Sequence, residues 1–366
     1  MTMSPRRMIP LVLASCLLVA AIASPAFAAA GVLDSSFGVA GKLTTNLSSG
    51  FDAAFAVAVQ ADGAIVAAGK ASGAGGKFGL IRYNDDGTLD TSFGGDGKVT
   101  TNLTSGGDWA NALAIQADGK IVAAGRASGA GGKFALIRYN TNGTLDSSFG
   151  GDGKVTTNLT SGQDVAYGVA IQPADDTIVV AGFVDDGPGS KFGLVRYDAD
   201  GTRDTTFSGD GKVTTDLTTG PDGAYGVAIQ PADGKIIAAG SAGDSSFAVA
   251  RYDSDGSPDA TFSGNGKVIT RFTNGSDFAR GVVVQADGMI VAAGTADGTK
   301  FAIARYEVDG SLDLTFSGNG KAVTEFTTGA DGAYGVALQP SDGKIVAAGI
   351  AGKGNKKFAM ARYLAA

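Results

Sequence analysis

An aspartate recurs at one equivalent position in six copies of a repeat, just before a short apolar run. Six carboxylates held close together repel one another unless a cation or hydrogen-bond donors compensate their charge. Two interpretations are therefore open: a Ca²⁺ site built from several of them, or turn residues that each accept hydrogen bonds from their own loop backbone. These residues are Asp52, Asp108, Asp164, Asp222, Asp277 and Asp331.

A second acidic pattern, Asp-x-Asp-Gly-x-x-Asp, also suggests calcium. It occurs twice, at Asp198, Asp200, Asp204 and at Asp253, Asp255, Asp259. Alternate oxygen ligands around a Gly turn are typical of Ca²⁺ loops. These loops lack the bidentate Glu of an EF-hand, and the related copy around Asn140 and Asn142 carries little charge. Calcium is therefore a candidate cofactor, and no other cofactor is indicated.

Arginine and aspartate recur as a second set of partners, whose role we expect to be structural. Each copy has an Arg in the pattern Phe-x-Leu-x-Arg-Tyr, with Val, Ile or Met in place of the Leu in the last three copies. Each copy also has an Asp in the pattern Leu-Asp-x-x-Phe, with Arg or Pro in place of the Leu in two copies. In a strand the Arg shares a face with the Phe four residues earlier, so its charged head needs a partner inside the sheet. The arginines are Arg82, Arg138, Arg196, Arg251, Arg305 and Arg362.

The repeat predicts the fold that must position these residues. The aspartates of Leu-Asp-x-x-Phe are 56, 56, 58, 55 and 54 residues apart. Each interval holds four short runs that predict strands, and a turn that contains Asp and usually Gly separates the second run from the third. Four antiparallel strands repeated six times predict an all-β, six-bladed β-propeller. A solenoid is the rival architecture, but it requires atypical capping repeats, and the terminal copies resemble the middle ones.

The chain ends predict how the ring closes. The last copy ends after its third strand, near Arg362 and Tyr363, while a surplus strand, 41–45, precedes the first complete copy. The N-terminal strand is therefore expected to complete the last blade, which would remove an exposed sheet edge. Residues 31–366 form a single six-repeat domain in this interpretation.

The first thirty residues predict export. Arg6 and Arg7 precede an apolar run, and Ala26-Phe27-Ala28 resembles a cleavage site, so residues 1–30 are expected to be a signal peptide cut after Ala28 or Ala30. A membrane anchor is the competing interpretation, but the run is short for a span. Cys16 lies in a lipobox-like sequence, which leaves soluble export and lipid anchoring both open.

Composition excludes several kinds of chemistry. The chain has no His, and its one Cys is Cys16, so a Ser-His-Asp triad, a His metal cage and disulfides are excluded. The net charge of −7 disfavours nucleic acid and anionic membranes as partners.

The repeat resembles the bacterial delta-60 repeat family. The resemblance covers residues 31–363 and rests on Leu-Asp-x-x-Phe, Gly-Lys-Val, Ile-Gln-x-Asp-Gly-Lys-Ile-Val-Ala-Ala-Gly and Phe-x-Leu-x-Arg-Tyr. It implies exported, propeller-like proteins, often of unassigned activity, and it supplies no catalytic residues.

These observations favour a secreted, periplasmic or cell-surface propeller that is not an enzyme. We expect a monomer that serves as a scaffold or binding module, with a protein, glycan or other small ligand on the face that carries the six aspartates and the loops between second and third strands. The alternative is a Ca²⁺-dependent hydrolase or lyase with its site at the channel mouth. A passive surface repeat without a ligand is a third interpretation that the sequence does not separate from the first.

Overall fold

The computed structural model describes residues 34–364, apart from 73–74, 130, 186, 188, 244 and 354–356. The expected signal peptide and Cys16 lie outside the described residues. Among the residues that are described, no helix is long and apolar enough to cross a membrane.

The described chain forms an all-β, six-bladed β-propeller, as the repeat predicts. In each blade the first strand is innermost and every neighbouring pair is antiparallel. Blades 1 to 3 contain β1 (Ala53–Val59), β2 (Ile65–Ala71), β3 (Lys77–Tyr83), β4 (Lys98–Thr101), β5 (Trp109–Ile115), β6 (Ile121–Ala127), β7 (Lys133–Tyr139), β8 (Lys154–Thr157), β9 (Asp164–Ile171), β10 (Ile178–Asp185), β11 (Ser190–Tyr197) and β12 (Lys212–Thr215). Blades 4 to 6 contain β13 (Gly223–Ile229), β14 (Ile236–Ala242), β15 (Ser246–Tyr252), β16 (Lys267–Thr270), β17 (Phe278–Val284), β18 (Ile290–Ala296), β19 (Lys300–Tyr306), β20 (Lys321–Thr324), β21 (Gly332–Leu338), β22 (Ile345–Ala351) and β23 (Lys357–Tyr363).

The hydrophobic core lies between neighbouring blades. Between blades 2 and 3, for example, Phe134 and Leu136 pack with Val180, and all three side chains are fully buried. The second and third strands are apolar on both faces because each face of a blade packs against a neighbouring blade. Burial of these two strands fixes the register, since a shift by one residue would exchange their faces.

The predicted completion of the last blade by residues 41–45 is wrong in this structure. The sheet of β21, β22 and β23 has three strands, and residues 43–46 belong to no sheet. The N-terminal segment lies instead against blade 1, where the Gly38 N–H donates to the Asp86 carbonyl at 2.7 Å. The equivalent bond in the next blade joins the Gly94 N–H to the Asn142 carbonyl at 2.8 Å.

The physical reason is that blades 6 and 1 do not pack together. Strand exchange would require them to share a core like that of the other junctions. Val57 of blade 1 is 68% exposed, and Met360 of blade 6 is 66% exposed. The segment therefore satisfies its backbone on blade 1 alone, and the edge of β23 stays unpaired among the described residues.

Candidate functional site

Each ring aspartate lies at the start of an innermost strand and is bonded to its own loop. The Asp108 carboxylate accepts hydrogen bonds from the Leu103 and Thr104 N–H groups at 2.9 and 2.7 Å and from the Thr104 hydroxyl at 2.7 Å. It also accepts the Ser128 N–H at 2.9 Å, from the loop after β6. The other five aspartates accept the same kind of bonds from the preceding loop.

These bonds fix the loops on one face of the propeller. Burial raises the pKa of Asp52, but hydrogen bonds from Ser48, Ser72 and Leu47 outweigh burial and hold its pKa at about 2. The same balance of burial against loop hydrogen bonds lowers the pKa of Asp331. The carboxylates of Asp52 and Asp331 are thus ionised acceptors that join the inner strand to the loop after the second strand.

The structure does not bring three carboxylates of either candidate metal site around one point. Across the described ranges, no group of three or more Asp, Glu, Cys or His side chains is arranged to hold a metal ion. In the acidic loops, Asp200 accepts from the Thr202 N–H and hydroxyl, whereas Asp204 is bonded to Arg196. In the second such loop, Asp255 bonds to Ser257, and Asp253 and Asp259 share Lys235. Metal binding at the ring or at these loops stays a prediction.

The predicted bridge between the recurring Arg and Asp is confirmed in five blades. The Arg251 Nε donates to the Asp259 carboxylate at 2.6 Å, and the guanidinium lies 4.7 Å from the centre of the Phe262 ring. The same arginine donates to the Val308 carbonyl of the next blade at 2.6 Å. The other bridged pairs are Arg82 with Asp90, Arg138 with Asp146, Arg196 with Asp204, and Arg305 with Asp313.

A further position, which the sequence analysis did not single out, faces the central channel. It is the third residue after each ring aspartate, where the first and second strands shift register. A β-bulge of this kind leaves one residue unpaired and re-aims its side chain. The bulge residues are Phe55, Asn111, Tyr167, Tyr225, Arg280 and Tyr334.

A glycine in the second strand makes room for each bulge. A Cβ on Gly240 would lie 1.9 Å from the Gly223 carbonyl oxygen, and one on Gly294 would lie 2.0 Å from that of Phe278. The Ala-Ala-Gly ending of the second strand is therefore a steric requirement of the bulge. A large or polar residue between two small residues in every inner strand was the signal that could have identified the channel position.

The bulge residues of blades 3, 4 and 5 line a cavity of about 410 Å³ at the mouth on the aspartate face. Its walls are Tyr167, Tyr225, Ser241, Ser276, Phe278 and Arg280. The two tyrosine rings meet edge to face, with centroids 5.2 Å apart. Burial and the neighbouring Tyr225 raise the pKa of Tyr167, while the charges of Arg126 and Arg280 oppose that rise.

Trp109 lies beside the mouth at the junction of blades 1 and 2. The Lys70 ammonium is 5.7 Å from its ring centre and the Arg126 guanidinium is 5.1 Å away. Because Lys70 belongs to blade 1 and Trp109 to blade 2, this ring connects two blades.

Comparison with known proteins supports the fold and the repeat. A family model described as "Domain of unknown function (DUF5122) beta-propeller" matches residues 60–93, 116–149, 174–207, 232–262 and 285–316. Each match runs from the end of an innermost strand to the Phe of Leu-Asp-x-x-Phe or its variant. No curated protein matches the chain at a significant level.

Comparison with solved structures finds matches at low sequence identity and with TM-scores below 0.5. A catalytically inactive virginiamycin B lyase from Staphylococcus aureus, solved with quinupristin, is 12% identical, covers 84% of this chain and 83% of its own, and has a TM-score of 0.49. A protein of unknown function from Dyadobacter fermentans is 13% identical over 84% of this chain and 93% of its own, with a TM-score of 0.49. A gluconolactonase from Xanthomonas campestris is 12% identical over 78% and 86%, with a TM-score of 0.42. Likeness at this level carries no assignment of activity. The chain is a β-propeller repeat protein, and five of its six repeats contain a segment that matches the family model of unknown function.

Proposed function

We propose that this chain is an exported binding module of the delta-60 repeat type, without catalytic activity, whose ligand meets the aspartate face at the channel mouth. The observation that supports it most is the contrast between two sets of residues on that face, the ring aspartates and the bulge residues. The ring aspartates are occupied by their own loops, whereas three of the bulge residues beside them, Tyr167, Tyr225 and Arg280, line one cavity. A rigid frame around a variable concave site is typical of a binding protein.

Export is part of this proposal and rests on the first thirty residues. Mass spectrometry of the protein recovered from a bacterial host tests it. Removal of the first 28 or 30 residues supports export of a soluble protein. A lipid attached to Cys16 would instead support export of a protein anchored to the membrane.

Thermal unfolding tests the binding proposal, because a ligand that binds only the folded state raises the midpoint by mass action. We expect a member of a panel of neutral sugars, sugar acids and amino acids to raise the midpoint of the purified protein. The rise is expected to disappear in the double variant Tyr167→Ala/Tyr225→Ala. Asn142→Ala, in an exposed turn on the opposite face, is the control and should keep the rise.

The same assay addresses the alternative of a Ca²⁺-dependent hydrolase or lyase. Calcium in the ring would require the carboxylates to exchange loop hydrogen bonds for the ion. A midpoint that falls with EDTA, rises with millimolar Ca²⁺ and no longer responds in Asp108→Asn would favour the alternative and weaken the scaffold proposal. If neither calcium nor any ligand changes the midpoint, the binding proposal fails and a passive repeat is left.

A further inference from the structure

Two arginines of this propeller differ from the bridging arginines in their partners. The five bridging arginines described above each pair with an aspartate, at 2.6 or 2.7 Å. Arg126 and Arg280 differ, because the buried Nε of each has no hydrogen-bond partner in the described part of the chain. A buried donor of a charged group that is left without a partner is costly, so each Nε needs a partner, either an ordered water or a bound ligand.

Aromatic rings hold the Arg280 guanidinium without neutralising it. The guanidinium carbon lies 4.5 Å from the Tyr334 ring centre, 4.8 Å from that of Phe278 and 6.0 Å from that of Tyr225. Attraction to the π faces fixes the side chain, and it leaves the positive charge and the in-plane N–H donors available. The purely structural alternative is that this stacking is the whole role of Arg280.

The cavity around Arg280 has a composition that suits an anion. Its walls contain tyrosine, serine, phenylalanine and arginine, and no carboxylate. The nearest acidic residue in sequence, Asp277, is fully buried and accepts from the Phe272 and Thr273 N–H groups at 2.8 and 2.9 Å. An arginine with no carboxylate beside it in the cavity wall thus occurs in a chain whose net charge is −7. A planar guanidinium is well suited to a carboxylate because two parallel hydrogen bonds match its geometry.

The rest of the wall indicates what carries the carboxylate. Tyr167, Tyr225 and Phe278 offer ring faces and edges, and Ser241 and Ser276 offer hydroxyl groups. At about 410 Å³, the cavity has the size of a site for one small molecule. A ligand with one charged end and a flat or apolar body would use both parts of the wall.

We propose that the mouth cavity binds a small organic carboxylate, with Arg280 pairing its charge and the neighbouring rings packing against its body. This inference rests on the proposed binding function and specifies the ligand class. Arg126, whose guanidinium lies 5.1 Å from the Trp109 ring centre, is a second arginine near the mouth whose buried Nε has no partner among the described residues.

Isothermal titration of the purified protein with matched probes tests the inference. The carboxylates are glucuronate and benzoate, and their neutral counterparts are glucose and benzamide. At low salt we expect at least one carboxylate to bind roughly tenfold or more tightly than its neutral counterpart, since a hydrogen bond to a charged group contributes that much or more. Added salt should weaken the carboxylate and leave the neutral probe unchanged.

Variants separate charge from folding. Arg280→Gln should abolish the preference for the carboxylate, and Arg280→Lys should retain part of it. Arg271→Gln is the control, because it also removes one positive charge but at an exposed position beyond the end of β16. This variant should bind the probes as the parent protein does. Unfolding midpoints of all variants establish that they are folded.

The outcomes distinguish this inference from the proposed function. If neutral probes bind as well as carboxylates, and binding is lost in Tyr167→Ala/Tyr225→Ala, the binding function stands and the carboxylate class is overturned. The carboxylate class is also overturned if Arg280→Gln keeps the preference. If no probe, charged or neutral, binds, both the inference and the small-ligand function are overturned, and Arg280 is a structural residue held by its rings.

Discussion

Asp146 illustrates how a single repeated carboxylate holds a blade together. It accepts the Arg138 Nε at 2.7 Å, the Ser148 N–H at 3.0 Å and the Ser148 hydroxyl at 2.7 Å. Lys120 adds a second positive charge, with its ammonium 3.4 Å from the same carboxylate. Burial raises the pKa of Asp146, but the Ser148 hydrogen bonds and the charges of Arg138 and Lys120 outweigh it and hold the pKa at about 2. These contacts therefore stabilise the folded state only while the carboxyl is ionised.

Acid unfolding is predicted to depend on this carboxyl group. Because the folded pKa of Asp146 lies below its value of 3.8 in the unfolded chain, its contribution to stability is full above about pH 5 and is lost as the pH falls towards 2. The size of that contribution is on the order of 1–2 kcal/mol. Urea unfolding at pH 5.5 and pH 2.5 measures it.

Asp146→Asn removes the titrating group. The difference in unfolding free energy between parent and variant should therefore be smaller at pH 2.5 than at pH 5.5, by about 1–2 kcal/mol. Asp85→Asn, at an exposed position, should show a constant difference. A difference for Asp146→Asn that does not change with pH would mean that the carboxylate is not stabilised by these contacts.

At the scale of the strand, the bulge is the element that connects the fold to the candidate site. It depends on two sequence features that lie in different strands. The aspartate fixes the start of the inner strand. The glycine of the second strand has no Cβ, so a carbonyl of the inner strand can lie close to it. Together they direct one side chain per blade into the channel.

Gly240→Ala is therefore predicted to destabilise the protein. The added Cβ would lie 1.9 Å from a backbone oxygen, so the inner strand must shift. We expect a loss of about 1–3 kcal/mol in the free energy of unfolding, as for other overpacked sites, and weaker ligand binding at the neighbouring Tyr225. Gly335→Ala is the matched control, since a Cβ there meets nothing within 4 Å. Equal stability of the two variants would contradict a bulge opposite Gly240.

Strand order, blade number and the Arg–Asp pairs were predictable because each depends on a pattern within one repeat. Phe134 and Arg138, for example, share a face by simple alternation. The bulge at Tyr225 was not predictable in this way, because it is a property of the register between β13 and β14. The unpaired state of Arg280 was not predictable either, since it depends on which side chains three blades bring together. The open junction of blades 6 and 1 depends on packing between residues at opposite ends of the chain.

For the whole molecule, the six repeats are equivalent in sequence but not in environment. Five junctions between blades contain a closed apolar cluster, and the junction between the last and first blades does not, among the residues that the structure describes. Its residues are exposed instead, including Phe358 of β23, with relative exposure of 103%. Arg362 reflects the same difference: it contacts the Gln339 side-chain oxygen at 3.3 Å, where its five counterparts contact a carboxylate.

Substitution of equivalent arginines measures this asymmetry. Arg251→Gln breaks a buried pair and leaves Asp259 with Lys235 as a positive partner, so we expect a loss of about 3 kcal/mol in the free energy of unfolding, the lower end for broken buried pairs. Arg362→Gln changes an exposed side chain, and we expect an effect within about 0.5 kcal/mol. Chemical denaturation of both variants gives the comparison. Equal losses would show that Arg362 has a carboxylate partner in solution, which this open junction does not provide.

The bulge also has a meaning for descent by duplication. The frame of five blades depends on a ring aspartate, a glycine in the second strand and an Arg–Asp pair, whereas the bulge residue varies in type among the blades. A copied repeat could therefore change its contribution to recognition through a single codon while its fold stayed intact. In this chain the six codons specify Phe55, Asn111, Tyr167, Tyr225, Arg280 and Tyr334. Propellers with the same frame and other residues at these six places would form a family of receptors that differ in ligand and not in architecture.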